Sequence, residues 1–213
     1  MKKIRIFASL VLAALLVSCS SGTLILGSWS NPEKKTGGYQ DLVVFGISES
    51  VISRQTFENQ IQNVLNQAGI KASNSLILIP PGTRLSDSEK DKLAKQLKDQ
   101  GHEAVLTVAL LDQTQESRYV PGTTSYAPMM YGGFYRSYWG YYSRFSPVMY
   151  EPGYYTTDKN YYLEANLYDV ASEQLVWSAQ SQTTNPANLE SFANSFATTI
   201  TGQMVKDGIL IKK

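Results

Sequence analysis

The side chains of this chain that could carry chemistry are few and scattered. One histidine, His102, and one cysteine, Cys19, stand among 213 residues. No Cys/His set for zinc can be assembled from them, and no disulfide can close within the chain. The acids Asp112 and Glu116, or Asp158 and Glu164, are of the type that glycosidases pair as acid and base or nucleophile. Their spacing is equally that of strand ends and loops. No G-x-S-x-G elbow, S-x-x-K pair, H-E-x-x-H helix or P-loop lysine occurs. His102 follows Gly101 at the entrance to an apolar run, where a hydrogen-bonded edge histidine is the simpler reading than a base. The expectation is a protein without catalytic residues, cofactor or bound metal. Nineteen Lys and Arg balance 18 Asp and Glu, which excludes a charge-driven nucleic-acid binder.

Cys19 is the exception, because of what precedes it. Lys2, Lys3 and Arg5 form a positive segment, residues 6–17 an apolar stretch of 12, and Leu16-Val17-Ser18-Cys19 closes it. This is the pattern of a secretion signal, and the apolar stretch is shorter than the ~20 residues a membrane-spanning helix needs. Its last four residues resemble the bacterial lipoprotein box. The resemblance implies cleavage before Cys19, acylation of its sulfur and amine, and attachment to a membrane by several acyl chains, more than the two signals that stable anchoring takes. Ser20 follows where an inner-membrane-retained proteobacterial lipoprotein has Asp. The resemblance therefore implies delivery to the outer membrane. Residues 1–18 read as the signal, 19–23 as a short tether and 24–213 as one domain, with 16 basic against 18 acidic residues once the signal is removed. The four residues between Cys19 and Leu24 span at most about 14 Å at ~3.5 Å each, so the domain is expected almost on the bilayer.

The elements of that domain follow from periodicity. Residues 24–29 form a short apolar strand, and 42–47 run apolar throughout, as an interior strand does. Phe57, Ile61, Val64, Leu65 and Ala68 recur at helical spacing up to Gly69. Residues 75–79 are apolar and predict a strand, stopped by Pro80-Pro81-Gly82. Ser86 and Glu89 form a capping box that starts a second helix, ending at Gly101. Its lysines predict a solvated face. Residues 104–111 predict another central strand, and strands joined through helices are expected to run parallel. Residues 161–170 alternate, turn at Ala171-Ser172-Glu173 and return over 174–183 as an antiparallel hairpin. Asn185-Pro186 is the expected start of a long last helix carrying Leu189, Phe192, Ala193, Phe196, Ala197, Ile200 and Met204 on one face. The sum is an α/β (α+β) fold, a two-layer sandwich with a mixed sheet and helices on one face.

Twelve of the 14 tyrosines fall between Tyr119 and Tyr162, with Phe134, Trp139 and Phe145, Gly132-Gly133 and Gly140 among them. Pro128, Pro147 and Pro152 interrupt any long strand, so the segment, about 117–158, predicts a hairpin-like insertion between two sheet strands. Three readings remain open for it. The rings stack on one another over a sheet edge, or they form a binding surface, or they sit at the membrane interface where Tyr and Trp gather. The binding reading selects Tyr131, Phe134, Tyr135, Tyr138, Trp139, Tyr141 and Tyr142 as contact residues for an envelope protein or cell-wall polymer.

Tyr131-Gly132-Gly133-Phe134-Tyr135, followed by the strand-turn-strand Leu-Tyr-Asp-Val-Ala-Ser-Glu-Gln-Leu-Val-Trp at 167–177, resembles an uncharacterised family of bacterial lipoproteins. That resemblance implies a location and a fold, with Asp169 entering the turn and Trp177 packing beyond it, and no catalytic residue. The element order resembles more loosely the Tol-system, curli-secretion and transporter-auxiliary lipoproteins, which act by contacting other proteins. Taken together the expectation is a non-catalytic, periplasm-facing outer-membrane lipoprotein that binds an envelope partner. Its alternatives are an oligomeric accessory subunit of an export or transport assembly and an envelope hydrolase.

Overall fold

In a computed structural model of the chain, residues 22–80, 83, 86–121 and 154–211 are described. The elements are β1 (Thr23–Ser30), β2 (Asp41–Ile47), α1 (Val51–Gln67), β3 (Lys71–Asn74), α2 (Asp87–Asp99), β4 (Ala104–Val120), β5 (Tyr154–Asp169), β6 (Leu175–Thr184) and α3 (Leu189–Lys206). The chain forms two compact units, one running to Gln113 and resuming at Asn160, the other Thr114–Lys159.

The first unit is an α+β fold built on a six-stranded mixed sheet in the order β1-β6-β5-β4-β2-β3. β2 runs parallel to both β3 and β4, the arrangement expected of strands joined through helices. β5 and β6 pair antiparallel around the turn at 170–174, and β1 pairs antiparallel with β6 at the sheet edge. Val170 donates to the Glu103 carbonyl and Thr107 to that of Asn166, so β4 and β5 run in opposite directions. β2 lies between β4 and β3, and Leu42, Val43 and Val44 are wholly buried, which explains its unbroken apolar sequence.

The apolar stripes of α1 (Phe57, Ile61, Leu65) and α3 (Phe192, Phe196, Ile200, Met204) meet the face carrying Leu42, Val44, Leu106, Leu163 and Trp177, giving one continuous core. These two long helices are the second layer of the sandwich. The shorter α2 adds a separate patch, Leu97 against Val43 and Val170. Val43 alternates along β2 with Leu42 and Val44, so this patch lies on the sheet's other side. Ser86 and Glu89 close the capping box read from the sequence.

Two expectations are corrected. Residues 75–79 are not a strand: β3 is the polar Lys71–Asn74, and Ser75–Ile77 is a single 3₁₀ turn whose Ile77 is 82% exposed. The turn is imposed by Glu58, whose carboxylate accepts from the backbone N–H of both Ser75 and Leu76. Asn185 and Pro186 do not cap the last helix, since Asn188 does, its side chain accepting from the Ser191 N–H at 2.8 Å. Asn185 instead takes a left-handed backbone (φ 47°) that turns the chain out of β6.

In the second unit the described residues are the outer parts of β4 and β5, where the rings of Tyr119 and Tyr155 lie 5.2 Å apart.

Candidate functional site

The start of the described chain is fixed by side chains. Thr23 pairs with Thr183 in the ladder and their hydroxyls lie 2.7 Å apart. The Thr23 hydroxyl and N–H both donate to the Ser195 hydroxyl of α3, at 3.0 and 3.1 Å. Thr183 is paired in turn with Tyr161 of β5, so Thr23 and Tyr161 share one level of the sheet, two strand spacings or about 10 Å apart. Asn160, opposite Thr184, marks the same end.

At that end lies a cavity of about 340 Å³ lined by residues of α1, α3 and the sheet. Its floor is Val108 and Leu163, and Phe57, Leu189 and Phe192 form its walls. The Phe192 ring stands edge-on to Phe57 at 5.1 Å and lies 5.1 Å from Tyr161, so the wall is a connected aromatic group. Ser48, Ser53, Arg54, Asn188 and Pro186 are also in the lining. Ile47 and Leu110, also in it, are exposed, which makes the opening partly apolar.

A buried carboxylate holds this end together. Glu58 has no exposed surface and accepts from the Gly46 N–H, the Arg54 guanidinium, and the N–H and hydroxyl of Ser75, at 2.7 to 2.9 Å. Arg54 also donates to the Ser75 hydroxyl and the Ile79 carbonyl. Gly46 is closely packed there, since a Cβ on it would stand 3.2 Å from the Arg54 side chain and 3.4 Å from that of Glu58. The carboxylate thus ties the end of β2, the first turns of α1 and the 3₁₀ turn into one hydrogen-bonded cluster.

Other polar clusters sit at the far end of the sheet. His102 Nδ1 lies 2.7 Å from Asp41, whose other oxygen accepts from Lys71 at 2.6 Å. Asp169 ends β5 and accepts from the Ser172 N–H and hydroxyl and from Tyr39. Burial pushes its carboxyl up, but these donors outweigh burial and hold it below its ordinary value. Burial, helped by the Asp169 charge, pushes the Tyr39 phenol up to about 12. Trp177, fully buried, donates from its indole to Asp207, and Asp207 too is held low against the cost of its burial.

Asp169 and Trp177 therefore lie at the far end, away from the cavity, as the closing parts of the β5-β6 hairpin. Cys19 and Tyr131, Phe134, Tyr135, Tyr138, Trp139, Tyr141 and Tyr142 lie outside the described residues. Glu164 accepts from Gln180 and Asn166. Among the described residues no three His, Cys, Asp or Glu side chains gather as a metal site, and no helix is long and apolar enough to cross a membrane. Sequence reasoning did not single out the cavity, though Phe57 and Phe192 are on the helix faces it assigned to the core. No local signal distinguishes a core position from a cavity wall.

The fold and site define an α+β domain with an apolar cavity at the end of the sheet where its N-terminal strand begins. No family model matches the chain, and no curated protein matches it. Among solved structures it is similar to the PelC dodecamer from Paraburkholderia phytofirmans, at 16% identity and a TM-score of 0.45 over 84% of this chain and 94% of that one. Lipoprotein GNA1162 from Neisseria meningitidis is similar at 13% identity and a TM-score of 0.36, over 78% of this chain and 96% of that one. A putative neuraminyllactose-binding hemagglutinin homolog from Helicobacter pylori gives 12% identity and 0.35, over 83% and 91%.

Proposed function

We propose that this protein is a non-catalytic accessory of the bacterial envelope, anchored in the outer membrane through acyl chains on Cys19 and facing the periplasm. It engages an envelope protein or cell-wall polymer through the Tyr-rich segment. One relationship carries the reading. Thr23, where the tether joins, and Gln113 and Asn160, where the chain leaves and re-enters the first unit, lie at a single end of the sheet. The anchor and the Tyr-rich segment therefore branch from one end, and a tether of at most about 14 Å keeps that end beside the bilayer. In-cell photo-crosslinking from positions 135, 139 and 142 tests it. A discrete protein or glycan adduct, lost on deletion of residues 126–150, is expected. Adducts only to lipid or to the protein's own chain would refute partner binding.

A second reading, an oligomeric subunit of an export or transport assembly, is favoured by β1. It is an edge strand of eight residues without charge or proline, and Leu24, Leu26 and Trp29 on it are exposed. Edge strands of that kind pair with further strands unless blunted, and the break in register between Ile25 and Gly27 is the one blunting device present in β1. Native mass determination of detergent-extracted protein separates the two, since a ring demands one defined oligomer.

A further inference from the structure

The cavity at the anchor end has no assigned occupant. We propose that it receives one hydrocarbon chain of the lipid carried on Cys19, a proposal that rests on the lipid anchor of the reading above. Three observations converge on this occupant. The interior is apolar: Val108 and Leu163 below, Phe57, Phe192 and Leu189 at the sides, with no unpaired buried polar atom among the lining residues. A cavity lined in this way favours a ligand that asks for no hydrogen bond, and its volume of about 340 Å³ is that of a small-ligand pocket. The opening is apolar on one side, through the exposed Ile47 and Leu110, so a chain can enter without crossing a polar rim.

Reach decides between sources. Thr23 is held by Thr183 and Ser195 about 10 Å across the sheet from Tyr161 in the cavity lining, and Cys19 lies four residues before it. Four residues span at most about 14 Å. An acyl chain on Cys19 is therefore delivered to the opening by the tether itself, at an effective concentration that a freely diffusing lipid does not match. Ser48 and Asn188 in the lining offer a hydroxyl and an amide for the ester and amide groups at the head of such an anchor. With one chain held in the protein and the others in the bilayer, the anchor becomes a two-point attachment. It then fixes the orientation of the sheet on the membrane as well as its distance.

The test uses full-length protein from cells grown with a diazirine-bearing fatty acid of palmitate length. The intact mass first reports whether Cys19 is acylated. After irradiation and digestion, the peptide bearing Cys19 is expected cross-linked through its acyl chain to peptides containing Phe57, Tyr161 or Phe192. Acylated protein whose cross-links reach only lipid or residues 20–30 overturns the cavity assignment and leaves the lipid-anchor reading standing. Adducts of phospholipid mass at Phe57 or Phe192 identify a free lipid as occupant and overturn it likewise. An unacylated Cys19 overturns both. In Leu189→Trp, which fills the cavity, the intrachain cross-link is expected to disappear while acylation persists. Retention of the cross-link in a folded Leu189→Trp protein refutes the proposal, and if that variant does not fold, the wild-type cross-link map decides alone.

Discussion

The indole N–H of Trp177 donates to the carboxylate of Asp207 at 2.8 Å, fastening the start of β6 to the residue that ends α3. Among the described residues Trp177 is the largest fully buried side chain, and Asp207 also accepts from Gln203. Hydrogen bonds to a charged acceptor are worth more than neutral ones, and a partner left inside without its donor bears the cost of desolvation. Trp177→Phe keeps the aromatic packing and removes the donor. It is expected to cost about 2 kcal/mol, measured as a lower urea midpoint at unchanged slope. Asp207→Asn, which keeps an acceptor, is expected to cost less.

Acid and alkali should each weaken the fold through named groups. Asp169, Asp207 and Glu103 are buried in part, which raises their carboxyls, yet hydrogen bonds from Ser172, Trp177 and Lys35 respectively outweigh burial and hold all three below their ordinary values. Folding thus favours their charged forms. The stability they contribute is present above the ordinary carboxylate range and lost as pH falls through the lowered values. Tyr39 has the opposite sign. Its phenol moves from 10.0 to about 12, so its contribution is complete below 10.0 and lost as pH rises towards 12. Urea midpoints across pH should fall at both extremes, and Tyr39→Phe should remove much of the alkaline fall while also softening the acid one, because it takes one of the donors that hold Asp169 low.

Glu58 is expected to be the most sensitive position of the cavity end. Removing one partner of a buried ion pair leaves the other charge uncompensated, at about 3 to 5 kcal/mol. Glu58→Ala strands Arg54, whose side chain is only 12% exposed, together with the Ser75 and Gly46 N–H groups. Arg54→Met leaves Glu58 with its remaining donors and is expected to cost less. Denaturation of the two variants side by side checks the order.

Two glycines with the same backbone angle should respond differently to alanine. Gly38 and Gly208 both have φ 69°, where an L side chain is strained by roughly 1–2 kcal/mol. A Cβ on Gly38 would also stand 2.9 Å from the Ile209 carbonyl oxygen, whereas at Gly208 nothing lies within 4 Å. Gly38→Ala should therefore lower the thermal midpoint clearly more than Gly208→Ala.

What the sequence disclosed depends on how far each residue's partner lies along the chain. The capping box of Ser86 and Glu89 closes within three residues, and the 161–183 hairpin is set by alternation and a local turn. Both are legible from local pattern. The 75–79 run was misread because its conformation is dictated by Glu58, 17 residues back, whose carboxylate captures the backbone as it leaves β3. The start of α3 was misplaced by three residues, because Asn185 and Asn188 are the same residue type and only the left-handed backbone at Asn185 separates turn from cap. The cavity was invisible for another reason. It is lined jointly by two helices 138 residues apart in their first residues, which meet there through Phe57 and Phe192.

The register of β1 has a mechanical consequence. Its hydrogen bonds to β6 run across the strand, from Thr23 opposite Thr183 to Ser30 opposite Trp177. Tension entering through the residues before Thr23 acts along the strand axis. The ladder is then loaded in shear, its bonds sharing the force together, where a pull from the side would peel them one at a time. An attachment made at Thr23 thus loads this edge strand in a direction in which its whole ladder resists being drawn out of the sheet.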